Sequence, residues 1–226
     1  MRVKVCGIRN EEELVTAIRC GADVLGFQVG QQYPSHSFIL PSTAGRLAAS
    51  MPPYVNACLV THMEEPEDIL DIMDRSGIRT VQVTELPVEK IAALRDKLEP
   101  AARIILSVYL RPGRYEWHFE EYLSLVNGVL VDAYNLRPEL MGVDSPDKKY
   151  RWDKAAELAA VSPLPVILAG ALTGENVNEA IAGVQPFGID VFHGVRDKAG
   201  NLQMDALLKL IRAVRQSELE LLSGQI

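Results

Sequence analysis

Short runs of aliphatic and β-branched residues recur along the chain, and after each run the apolar positions return every three to four residues. The runs are Val3–Ile8, Asp23–Val29, Tyr54–Val60, Thr80–Val83, Arg103–Leu110, Gly128–Val131, Pro165–Ala169 and Ile189–Phe192. Most are nearly continuous in hydrophobicity rather than alternating, as strands covered on both faces are. The helical spacing between them predicts helices over Asn10–Cys20, Pro41–Ser50, Pro66–Ser76, Pro87–Leu98, Trp117–Leu125, Trp152–Val161, Gly174–Ala182 and Met204–Leu222. Pro66 and Pro87 suit first turns, Thr173 precedes Glu175 and Asn176, and Gly21, Gly77 and Gly183 follow helix ends.

Eight strand–helix units in 226 residues predict an α/β protein, a (β/α)8 barrel forming a single domain over residues 1–226. An open doubly wound sheet holds a similar number of strands, but no G-x-G-x-x-G follows the first one. No linker, low-complexity tract or charge block divides the chain.

Composition narrows the function classes. A hydrophobic content of 48% supports a large core, and a net charge of −7 argues against a nucleic-acid surface or a polybasic membrane patch. Cys6, Cys20 and Cys58 have no metal-ligand spacing and are odd in number, which points to free thiols in a reducing cytoplasm. With no secretory leader and no apolar run of membrane-spanning length, the expectation is a soluble cytoplasmic protein, monomer or homodimer.

In a barrel of this kind the chemistry sits on the loops that follow the strands. The first strand ends at Cys6 and Gly7. A thiol there serves as a proton acceptor if its surroundings lower its pKa, and Lys4 on the same strand is a source of positive charge; the alternative is a small core residue. Asp132 follows Val129-Leu130-Val131, where a carboxylate is costly unless hydrogen-bonded or used, so it is the candidate general acid or else a loop cap. Gln82 late in strand four offers an amide to a ligand or a neighbouring loop. The long loop from Gly30 to Leu40, with Gln31, Gln32, His36 and Ser37, is expected to cover substrate, and residues 133–151 read as a lid. Gly170-Ala171 after strand seven and His193-Gly194 after strand eight form the backbone turns expected to hold a phosphate.

With these residues placed, the chain resembles the phosphoribosylanthranilate isomerase family of tryptophan biosynthesis over nearly its whole length. The resemblance rests on Lys4-Val5-Cys6-Gly7-Ile8, Gly21-Ala22-Asp23-Val24-Leu25-Gly26-Phe27, Val81-Gln82 and Val131-Asp132. It continues through Tyr150-Arg151-Trp152, Leu168-Ala169-Gly170-Ala171-Leu172, Glu175-Asn176-Val177, Gly188-Ile189-Asp190-Val191 and His193-Gly194-Val195. It implies a barrel that uses neither a metal nor an organic cofactor. The implied reaction is the Amadori rearrangement of N-(5-phosphoribosyl)anthranilate to its 1-deoxyribulose 5-phosphate product. The resemblance makes Cys6 the general base and Asp132 the general acid.

The departures concern the substrate. The family's Ser-Pro-Arg reads Ser35-His36-Ser37 here, so the arginine that would face the anthranilate carboxylate is replaced by Ser37. Gln-Leu-His-Gly reads Gln82-Val83-Thr84-Glu85, the glycine-rich lid motif reads Asp144-Ser145-Pro146-Asp147, and Ser-Gly-Val-Glu reads His193-Gly194-Val195-Arg196. A charge-assisted contact to a carboxylate contributes about 1.5–3 kcal/mol, so His36 and Arg196 become the candidates for a replacement cation. The reading is therefore an isomerase of this family. The alternatives are a relative acting on a different phosphorylated amino-sugar and a non-catalytic barrel that binds a phosphorylated metabolite.

Overall fold

A computed structural model describes residues 1–32, 35–110, 119–133 and 151–224. The strands are β1 (Arg2–Val5), β2 (Val24–Gln28), β3 (Asn56–Thr61), β4 (Thr80–Thr84), β5 (Arg103–Tyr109), β6 (Gly128–Asp132), β7 (Val166–Ala169) and β8 (Gly188–Val191). Each pairs in parallel with the next, and β8 pairs back onto β1 with Val3 opposite Ile189 and Val5 opposite Val191, closing the barrel.

The helices are α1 (Glu11–Cys20), α2 (Pro41–Ala49), α3 (Pro66–Ser76), α4 (Val88–Lys97), α5 (Trp152–Val161), α6 (Val177–Val184) and α7 (Met204–Ser223). Helix α1 starts where Asn10 accepts a hydrogen bond from the Glu13 amide at 3.0 Å, and three glutamates occupy its first turn. The last helix reaches back across the ring closure. Arg215 donates to Met1 O and pairs with Asp23, which also accepts from Arg2 and from the Val3 amide.

Two predicted helices differ. Of Trp117–Leu125, the described part is a single 3-10 turn at Phe119–Glu121 followed by irregular turns. Tyr122 and Leu125 are only half-buried and Leu123 is exposed, so there is little apolar surface to stabilise further turns. The helix expected from Gly174 begins at Val177 instead. Asn176 accepts from the Thr173 amide and donates to Ala171 O, and these local bonds compete with helical ones over Gly174–Asn176.

Alternation, hidden in the sequence, governs the strands. Val3, Val5, Leu25, Phe27, Leu59, Val81, Val83, Val129, Val131, Ile189 and Val191 belong to the hydrophobic core shared with the helices. On the opposite face buried polar groups, Lys4, Gln82 and Asp190, stand beside Gly26 and Leu130. The main apolar core is thus the layer between sheet and helices, and the barrel interior is a mixed face that holds the buried charges.

Candidate active site

A cavity of about 380 Å³ opens at the C-terminal ends of the strands. Its walls use every second position of the sheet: Cys6 just past β1, Gln28, Val60, Gln82 and Thr84, Ser107 and Tyr109, Leu130 and Asp132, Ala169, and Asp190. The period of two carries one face of every strand into a shared space.

Beneath Cys6 lies a buried polar network. The Lys4 ammonium donates to Gln82 Oε1 at 2.9 Å and to Asp190 Oδ2 at 2.7 Å. Burial weighs against the Lys4 charge, but the Asp190 carboxylate, which also accepts its hydrogen bond, overcomes it and the pKa rises. Asp190 Oδ1 is buried with no hydrogen-bond partner among the described residues. Sequence reasoning passed over Asp190 although the signal was present: a charge inside Ile189-Asp190-Val191, as in Val3-Lys4-Val5.

Cys6 is held by this network and by its backbone. Its amide donates to Val191 O at 2.9 Å, and Gln28 Nε2 approaches Sγ at 3.9 Å. Burial pushes the thiol pKa up; Lys4, the Gln28 amide and Arg196 pull it down, and Asp190 opposes them. The net is upward. Lys4 does supply the positive charge that the sequence suggested, but Asp190 neutralises it, and desolvation outweighs what remains. Cys58 beside them is pushed to about 12, chiefly by burial.

Asp132, the last residue of β6, lines the same cavity as Cys6. Its charge acts on its neighbours, raising the pKa of Asp190 and opposing the fall at His193. Burial is the main cause of that fall, reinforced by Arg196. Gly170, Ala171 and His193 also line the cavity, with Gly170 and Ala171 both in the left-handed region at φ 104° and 47°. Gly194 is not in the lining. It wedges against loop seven, where a Cβ would lie 1.9 Å from Leu172 O.

Two residues considered as substrate contacts have inward roles. Ser37 lines the cavity but is 2% exposed, with its Oγ packed against Gly7. Arg196 borders the cavity, yet its guanidinium donates to the protein itself. Nη1 binds Glu13 Oε1 and Gly200 O, both at 2.9 Å, and Nη2 binds Cys6 O at 3.1 Å and Gly7 O at 2.7 Å. The expectation of a replacement cation therefore does not fit Arg196. His36, His193 and Lys198 are the exposed basic side chains in the described lining, His36 on loop two and the others on loop eight. Those loops approach each other at His36 and Gly200. The expected lid, with Asp144 and Asp147, lies outside the described residues. Among the described residues no cluster of His, Cys, Asp and Glu has the makings of a metal site, and no helix is long and apolar enough to cross a membrane.

Comparison with known proteins agrees with this architecture. Residues 3–213 match the family model for N-(5′-phosphoribosyl)anthranilate isomerase. The chain is 34% identical over 201 residues to N-(5′-phosphoribosyl)anthranilate isomerase 2 of Methanosarcina mazei, covering 88% of each protein. The phosphoribosyl anthranilate isomerase of Thermotoga maritima superposes with a TM-score of 0.78 at 29% identity, covering 96% of this chain and 99% of that one. A further isomerase structure, solved with reduced 1-(o-carboxyphenylamino)-1-deoxyribulose 5-phosphate, matches with a TM-score of 0.69 at 26% identity over 96% and 99% of the two chains. A barrel closed in the same strand order and a sequence match across nearly all of it lead to one conclusion: this chain belongs to the N-(5′-phosphoribosyl)anthranilate isomerase family.

Proposed function

We propose that this barrel catalyses the Amadori rearrangement of N-(5′-phosphoribosyl)anthranilate in tryptophan biosynthesis, an aldose–ketose isomerisation, with Asp132 as general acid and Cys6 as general base. The observation that carries the reading is the convergence of these two side chains, from opposite parts of the chain, on one cavity at the strand ends. Asp132 in its acid form gives a proton to the ribose ring oxygen as the bond from that oxygen to C1 breaks, leaving an iminium at C1. Cys6 as thiolate then takes the proton from C2. The freed electron pair forms the C1–C2 double bond of an enamine, which tautomerises to the amino-ketose. The iminium nitrogen is the electron sink, so the chain's own acid and base suffice for the proton transfers.

The turns at Gly170-Ala171 and His193 are the proposed phosphate seat, since consecutive left-handed residues at a strand end turn backbone donors toward one point. Lys198, in the loop whose Gly200 meets His36, offers the positive charge that an anthranilate carboxylate needs once Arg196 is engaged elsewhere.

Steady-state kinetics test these assignments together. Cys6→Ser and Asp132→Asn are each expected to lower kcat by about 10²–10⁴ with unchanged folding. Lys198→Ala is expected to raise KM by about tenfold, equivalent to one charge-assisted contact. Near-normal turnover in either of the first two variants would remove that residue from the proposed pair.

A further inference from the structure

Arg196 stands out once the site is assembled. Among the described residues it is the one charged side chain that bonds directly to the backbone of the Cys6–Gly7 segment. Its other amino group ties Glu13 on α1 and Gly200 in loop eight, and the side chain is 2% exposed. The Phe192 ring lies under its guanidinium carbon, 5.1 Å from carbon to ring centroid, adding a cation–π contact to the hydrogen bonds. Glu13 is itself fixed, accepting from the Arg9 side chain and from the Arg9 amide.

We propose that Arg196 is a positioning residue for the isomerase reaction: its fork clamps the carbonyls of Cys6 and Gly7 to helix α1 and loop eight, and so aims the Cys6 sulfur at the substrate carbon. The proposal rests on Cys6 being the base. The Cys6 amide is already tied to β8 through Val191 O, and Arg196 supplies the complementary hold on the carbonyl side. With both sides of the residue fixed, the direction of its Cα–Cβ bond is set by the frame. A planar guanidinium is suited to this work, because its donors diverge at fixed angles and reach several acceptors at once. An ammonium at the same place holds fewer of them. The clamp also couples the base to the loop proposed as a phosphate seat, because Arg196 directly follows the 3-10 turn His193–Val195.

A purely structural brace and a positioning residue predict different readouts. The charged and titratable groups acting on Cys6 are Lys4, Cys58, Asp190 and Arg196, with the Gln28 amide beside it. Of these, Arg196 alone changes in the test. In Arg196→Met, kcat is expected to fall by about 10–100-fold while KM changes by less than about threefold, the scale of a base displaced by a fraction of an ångström to an ångström. The pH midpoint for alkylation of Cys6 by iodoacetamide, followed on the Cys6 peptide by mass, is expected to move upward because a neighbouring positive charge is lost. Glu13→Gln leaves the arginine's charge less balanced, so its midpoint is expected to move downward. Arg196→Lys keeps the charge without the fork and is expected to lose turnover with little movement of the midpoint; it decides the matter if Arg196→Met does not fold.

A folded Arg196→Met or Arg196→Lys with wild-type kcat would overturn the proposal. So would a loss confined to thermal stability, with the alkylation midpoint of Arg196→Met unmoved. Cys6→Ser run in parallel separates the two levels. A fully active Cys6→Ser would sink the assignment of the base, whereas an inactive Cys6→Ser beside unaffected Arg196 variants would sink only the clamp.

Discussion

Cys6 shows how one residue's chemistry is set by groups distant in sequence. Its thiol lies within the influence of a lysine two positions away, an aspartate on the last strand and an arginine beyond it. Burial decides the outcome, and the pKa lies above that of a free thiol. The thiolate is the reactive form, so alkylation of Cys6 in the free enzyme should climb by about tenfold per pH unit through neutrality and level off only above about pH 9. A midpoint near pH 7 would mean that Lys4 and Arg196 outweigh desolvation. At this scale Cys6, Asp132 and Gln82 are legible as reactive or polar side chains at strand ends, and all three line the cavity. The direction of the thiol's shift is not legible, because Lys4 alone suggests a lowered value while its partner Asp190 is 186 residues away in the chain.

Consecutive strand–helix units meet through backbone. Loops seven and eight touch where Gly194 lies against Leu172 O and the Thr173 side chain, and that closeness brings the Gly170-Ala171 turn beside His193. A methyl group at 194 would sit 1.9 Å from a carbonyl oxygen, so Gly194→Ala forces the two turns apart. The expected result is a KM for the phosphorylated substrate raised by about tenfold or more, with weaker competition by inorganic phosphate, since backbone donors work only when their geometry is fixed. Unchanged KM and phosphate inhibition would place the anion elsewhere. The sequence marked both turns by their glycines but assigned Gly194 to the cavity. Its actual service is steric, behind the lining. Likewise Ser37 and Arg196 stand out in the sequence as departures, not as inward-facing groups. Their inward orientation depends on Gly7, Glu13 and Gly200, which no local pattern links.

For the molecule as a whole, the buried ionic groups predict the response to acid. Glu13 and Asp23 resist burial's upward push through their arginine partners and titrate below ordinary carboxylates. Their contribution is present above the unfolded carboxylate range, about pH 4–4.5, and is lost as pH falls through their lower folded values. His62 is depressed by burial, so its neutral form belongs to the fold and its contribution is lost as pH falls below about 6.5. Thermal melts should therefore hold a steady Tm between about pH 6.5 and 8, decline modestly below that window and steeply below about pH 4.5, and decline again above about pH 8.5, where the unfolded chain ionises thiols that burial keeps protonated at Cys6 and Cys58. A Tm that rises on acidification would contradict this account. The barrel itself was readable from the chain because hydrophobic periodicity is a local property: eight apolar runs and their intervening amphipathic segments each announce themselves within a dozen residues. The weak fifth helix failed that test because periodicity alone does not report how much surface a neighbour will bury. What tertiary structure alone decided was which polar residues meet. Lys4 with Gln82 and Asp190, and Arg196 with Glu13, Cys6 and Gly200, are pairings across the closed ring. In a parallel barrel neighbours in space are separated by whole strand–helix units or by the entire chain, so charge compensation and orientation arise only when β8 returns to β1.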